Sequence, residues 1–97
     1  MSDQEKVRLH AIVEGRVQGV GFRYFTLENA NKHNLTGWVR NRWNRTVEVV
    51  AEGQREDSEK FLRTIQRGPR AFTTENVKFE WKTPTGEFNR FQIRRTS

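Results

Sequence analysis

Between Val7 and Val13 the chain alternates strictly, with Val7, Leu9, Ala11 and Val13 on one parity and Arg8, His10, Ile12 and Glu14 on the other. A period of two over that length marks a strand with one buried face. Directly after it comes Gly15-Arg16-Val17-Gln18-Gly19-Val20-Gly21-Phe22-Arg23, three glycines in nine residues, and from Phe22 to about His33 the period changes. Phe22, Phe25, Ala30 and His33 recur at helical spacing beside Leu27, with Glu28, Asn31 and Lys32 around them. The opening third of the chain is therefore a strand, a tight glycine turn and a helix.

The same two periods organise the remainder. Leu35, Gly37 and Val39 alternate with Thr36, Trp38 and Arg40, and Val47, Val49 and Ala51 alternate with Glu48, Val50 and Glu52, which predicts a hairpin. Asp57 is placed to cap a second helix with Phe61, Leu62 and Ile65 as its buried stripe, and Gly68-Pro69 supplies a left-handed stop and a block to continuation. Val77, Phe79 and Trp81 alternate with Lys78, Glu80 and Lys82 in a fourth strand, and after Pro84 and Gly86 a short Phe91/Ile93 strand follows. The order is βαββαβ with a small extra strand.

Right-handed crossovers turn that order into a ferredoxin-like split βαβ sandwich, an α+β fold with an antiparallel sheet and both helices on one face. The main strands are expected in the order 4-1-3-2. The first and second strands then run parallel, so the glycine turn leaving one and Asn41 at the end of the other emerge on the same sheet edge. At 97 residues the chain is expected to be one domain, residues 1–97, with no second core.

Composition bounds the chemistry. Cysteine is absent, which removes disulfides, thiolate metal sites and thiol nucleophiles together. The first residues are polar and apolar runs are as short as Val49-Val50-Ala51, so neither a signal peptide nor a membrane span is expected, and a cytoplasmic location is. Eighteen Lys and Arg against twelve Asp and Glu give a net charge of +6, which favours encounter with anions. Most of these charges are scattered and read as a solvated surface.

A glycine-rich turn running into a helix N-terminus presents backbone N–H groups and the positive end of the helix dipole, a seat for an anion. Arg23, in the first helical turn, adds a planar, permanently charged fork suited to phosphate oxygens. A cation placed there opposes the dipole unless an anion is shared between them. No Gly-Lys-Ser/Thr follows, and the spacing of Gly15, Gly19 and Gly21 is wrong for a dinucleotide fingerprint.

The stretch from Gly15 to Arg23, taken with Gly37-Trp38-Val39-Arg40-Asn41, the strand start at Val47 and Gly53, resembles the acylphosphatase family over nearly the whole length. The resemblance implies hydrolysis of carboxyl-phosphate anhydrides, with Arg23 as the phosphate-binding arginine and Asn41 positioning the attacking water. The amides of Gln18, Gly19, Val20, Gly21 and Phe22 would complete the phosphate site. It also implies a small-molecule acyl phosphate as substrate, inorganic phosphate or sulfate as a competing anion, no metal and no cofactor. A monomer suffices for such a site.

The residues agree with that chemistry. An acyl phosphate releases a carboxylate whose conjugate acid has a pKa of roughly 4 to 5, so no general acid is needed. Positioning and charge stabilisation can carry the reaction, and a substrate phosphate oxygen can take the water proton. His10 and His33 are expected to be structural or surface residues. The family usually carries glycine where this chain has Arg45, so a retained positive φ would strain that residue by about 1 kcal/mol.

Two readings from other classes stand beside the enzyme. The same element order serves single-stranded RNA-recognition modules, and Trp38, Trp43 and Trp81 could stack bases. Against it, the open-face parity of the first strand carries no aromatic residue. A maturation or regulatory domain derived from acylphosphatase is the third reading, and acyl-phosphate turnover separates all three.

Overall fold

The computed structural model describes residues 5–18, 20–69 and 73–97. Seven elements follow in chain order: β1 (Lys6–Arg16), α1 (Val20–Lys32), β2 (Thr36–Asn41), β3 (Val47–Gln54), α2 (Arg55–Arg67), β4 (Thr73–Lys82) and β5 (Phe91–Ile93). They build one sheet in the order β4-β1-β3-β2-β5, the βαββαβ arrangement with its extra strand beside β2. β1 pairs antiparallel with β3 and β4, β2 pairs antiparallel with β3, and β5 pairs parallel with β2. Since β1 and β2 are both antiparallel to β3, they run parallel to each other.

The alternation read from β1 decides which face is covered. Val7, Leu9, Ala11 and Val13 are buried, and with Val39, Val47, Val49 and Ala51 they form the floor of a core roofed by Phe22 and Ala30 of α1 and by Phe61, Leu62 and Ile65 of α2. Burial of such side chains contributes roughly 25 cal/mol per Å² of apolar surface, the main source of stability in a small fold. Gly37 sits where β2 presses on β3, and a Cβ there would lie 1.9 Å from the Val50 carbonyl oxygen. Only glycine lets the two backbones approach.

Two ends differ from expectation. α1 starts two residues earlier than Phe22, and His33 falls beyond it, in a turn. Asn34 adopts a left-handed φ of 58° and the Leu35 N–H donates to Ala30 O at 2.9 Å, a Schellman-type stop with asparagine in place of glycine. Asp57 is not the cap of α2. The helix begins at Arg55 straight from Gln54, which makes no side-chain cap bond. Glu5 does the capping instead: its carbonyl accepts the Arg55 N–H at 2.9 Å and its carboxylate accepts Arg55 Nε at 3.1 Å. Asp57 lies with Glu56 in the first turn, where negative charge complements the dipole. Gly68 does end α2 with positive φ (72°), but its ψ of 166° is extended, outside the left-handed helical region.

A third difference concerns β4. Trp81, Phe79 and Val77 stand opposite Leu9, Ala11 and Val13, so the expected parity holds, yet Phe79 is 42% exposed. β4 is the sheet edge, and Val77 and Trp81 pack against the core while Phe79 between them stays exposed to solvent.

The open face is polar and cross-linked. Glu48 accepts from His10 Nε2 at 2.7 Å and from Arg40 Nε at 2.8 Å. Burial pushes its carboxyl pKa up, but the hydrogen bonds from His10 and Arg40 outweigh that and hold it below the ordinary glutamate value. A lowered folded-state value means that this contribution is complete above the ordinary glutamate range and is lost as the pH falls through the lowered one. Glu48→Gln is therefore expected to lower the melting temperature at neutral pH and to narrow its gap from the parent protein in acid. A gap that is constant with pH would show that ionisation of Glu48 contributes nothing.

Candidate active site

The site forms where β1 and β2 end on the same edge of the sheet. β1 pairs with β3 as far as Val13 and shifts its register against β4 between Glu14 and Gly15, where Gly15 takes a φ of 127°. Such a break redirects the strand end. Val17 is fully buried and fixes the start of the turn, and Gln18 is exposed. Gly19 lies outside the described residues. α1 then begins at Val20, so Val20, Gly21 and Phe22 supply the first helical amides, a position whose N–H groups have no intrahelical acceptor by geometry. The Phe22 ring is fully buried and packs against Phe25 at 5.8 Å between centroids, which leaves only its backbone for the turn. Arg23, half-buried, follows within the same helical turn, and no acidic residue shares that turn.

Across the edge stands Asn41, the last residue of β2. It is 7% exposed, and its Oδ1 is buried with no hydrogen-bond donor among the described residues. A buried acceptor left unpaired costs about 1–3 kcal/mol, so such an atom calls for a function.

The side chain of Gln18 joins the two halves. Its Nε2 donates to Arg42 O at 2.8 Å and to Thr46 O at 3.0 Å, which bolts the glycine turn onto the hairpin following Asn41. The hairpin is itself closed by Arg42 N–H to Thr46 O at 2.8 Å and Arg45 N–H to Arg42 O at 3.0 Å, with Asn44 Oδ1 accepting from the Thr46 amide and hydroxyl. Of the expected site residues, Gln18 and Asn41 are thus brought to one place, with Val20 to Arg23 opening the helix beside them.

The acylphosphatase family model matches residues 9–93. A curated acylphosphatase from Pelotomaculum thermopropionicum is 48% identical over 88 residues, covering 91% of this chain and 96% of that protein. One from Bacillus licheniformis is 51% identical over 82 residues, covering 84% and 91%. The crystal structure of acylphosphatase from Bacillus subtilis superposes with a TM-score of 0.86 at 35% identity, covering 91% of this chain and 98% of that one. The chain belongs to the acylphosphatase family.

Within this acylphosphatase-family site, Arg45 holds a φ of 71°. The hairpin keeps the left-handed residue expected there, because a three-residue loop of this kind needs positive φ at its third position. Arg45→Gly is expected to raise stability by about 1 kcal/mol, read from chemical denaturation, with turnover little changed. A loss of stability would show that the exposed arginine makes contacts worth more than its strain.

Two contacts that hold the chain around Asn41 had no signal in the sequence. The double hydrogen bond of the Gln18 side chain depends on the register of a hairpin far along the chain. Ser97 is the other: its N–H donates to Asn41 O at 3.0 Å and its carbonyl accepts the Trp43 N–H at 3.3 Å.

Proposed function

We propose that this chain hydrolyses acyl phosphates to a carboxylate and inorganic phosphate, with Arg23 and the turn amides from Gln18 to Phe22 seating the phosphoryl group and Asn41 holding the attacking water. The observation that carries this reading is the Asn41 Oδ1, a buried acceptor at the end of β2 with no donor among the described residues. A water donating one O–H to that oxygen is fixed in direction, and its lone pair can be aimed in line with the bond to the acyl oxygen. Electron density moves from water oxygen to phosphorus, the P–O bond to the acyl group breaks, and the carboxylate departs as an anion. The water proton passes to a phosphoryl oxygen. Arg23 and the amides stabilise the charge on the equatorial oxygens as it redistributes.

Since a carboxylate leaves unprotonated, neither a general acid nor a Lewis acid is required at the leaving oxygen, and we take the reaction to be metal-independent and cofactor-free. The same reading has residues 1–97 acting as one domain and a monomer in the cytoplasm. Among the described residues, no helix is long and apolar enough to cross a membrane. Base stacking is not favoured, because of the three tryptophans only Trp43 is exposed, at 80%: Trp38 is 8% exposed with the guanidinium groups of Arg40 and Arg94 at 4.8 and 4.9 Å from its ring, and Arg55 lies 5.7 Å over the Trp81 ring.

The test is hydrolysis of a small aromatic acyl phosphate, with inorganic phosphate as competitor and EDTA as a control. Turnover is expected to survive chelation, and phosphate is expected to inhibit competitively. Phosphate should also raise the melting temperature at matched ionic strength, because an anion held only by the folded turn stabilises it by mass action. Loss of activity in EDTA would remove the metal-free mechanism, and a melting point indifferent to phosphate would remove the seat.

A further inference from the structure

We infer that the segment after β5, residues 94–97, is a positioning strap for Asn41, acting through the Ser97 peptide; the inference rests on the water-positioning reading of Asn41. β5 pairs with β2 only from Gly37 to Val39, which would leave the end of β2 held by β3 alone. The chain nevertheless keeps running beside it. Arg94 N–H donates to Val39 O at 2.9 Å, Ser97 N–H donates to Asn41 O at 3.0 Å, and Trp43 N–H donates to Ser97 O at 3.3 Å. The Arg94 guanidinium, 4.9 Å from the Trp38 ring, ties the start of the segment to the open face. Asn41 is thereby gripped from both sides, by Val47 of β3 and by Ser97, at the point where a strand end entering a hairpin would otherwise fray.

The grip matters because the task assigned to Asn41 is angular. A water aimed in line tolerates little rotation of the side chain that holds it, and misplacement by about 1 Å can cost on the order of a hundredfold in rate. These three backbone hydrogen bonds join the strap to β2 and to Trp43, whereas the anion seat is assigned to the glycine turn and the start of α1. Ser97 therefore affects turnover without affecting phosphate affinity.

Ser97→Pro deletes the N–H that Asn41 O accepts, while Ser97→Ala keeps it. Ser97 is exposed, so neither change disturbs the core. Ser97→Pro is expected to lower kcat by roughly threefold to tenfold, the worth of one peptide hydrogen bond, with KM and phosphate inhibition unchanged. Ser97→Ala should match the parent protein. In an Asn41→Ala background, Ser97→Pro should cause no further loss, since the residue it acts through is gone. The strap is overturned if Ser97→Pro leaves kcat at the parent value, if Ser97→Ala loses as much, if KM and phosphate affinity change in parallel, or if the same factor is lost again without Asn41. Parent-like turnover in Asn41→Ala alone would instead overturn the reading of Asn41, and the strap with it.

Discussion

Replacing Arg23 by alanine is expected to abolish most of the activity and all specific inhibition by phosphate together. The guanidinium is the one permanently charged side chain in the first turn of α1, beside the amides proposed to seat the phosphoryl group. A bidentate, charge-assisted contact to a phosphoryl group is formed in the ground state and strengthened as charge redistributes. Its removal should cost roughly 3 kcal/mol or more in kcat/KM, a loss above a hundredfold. Arg23→Lys restores the charge without the planar fork and should recover only a small part. The protein should stay folded, since the turn remains anchored by the buried Val17 and Phe22 on either side and by the Gln18 bonds to the hairpin. Phosphate should no longer raise the melting temperature of the alanine variant. Substantial residual turnover, or phosphate inhibition that persists, would remove Arg23 from the site.

How much of this could be read in advance follows from the range of each interaction. β1 was legible because its alternation is local, and the two helix periods sit between period-two runs, so chirality alone arranges them. The φ of 71° at Arg45 was left open by the sequence, where only the family's usual glycine at that position pointed to it. Thr26 shows where pattern reading fails. It is polar in sequence but fully buried on the core face of α1, because its hydroxyl donates to the Phe22 carbonyl one turn back at 3.0 Å and hides its own polarity. The cap of α2 failed differently. Asp57 has the right residue type, but the helix starts two residues before it, at Arg55, whose N–H is accepted by Glu5, a neighbour only through the β1–β3 pairing. Gln18 and Ser97 belong to that second kind, their partners being main-chain carbonyls and amides whose position is set by the whole sheet.

Asn41→Ala is expected to separate the two halves of the site that Arg23→Ala takes down together. The proposed seat for the anion lies in the glycine turn and α1, so affinity for inorganic phosphate and its stabilising effect on melting should stay near those of the parent protein. Turnover should fall by roughly a hundredfold to a thousandfold, the usual consequence of losing a group that acts only on the reacting atoms. KM should change little, which places the loss in kcat. Folding should survive, because the Oδ1 removed has no donor among the described residues, so its loss breaks no hydrogen bond made by them. Asn41→Asp is a sharper probe. It keeps an acceptor for the water but sets a negative charge beside the phosphoryl group, so phosphate affinity should drop along with turnover, and the drop should ease as the carboxylate is protonated in acid. If Asn41→Ala lost phosphate affinity in step with its activity, Asn41 would be a ligand of the anion, and the orphaned acceptor at the end of β2 would need another explanation.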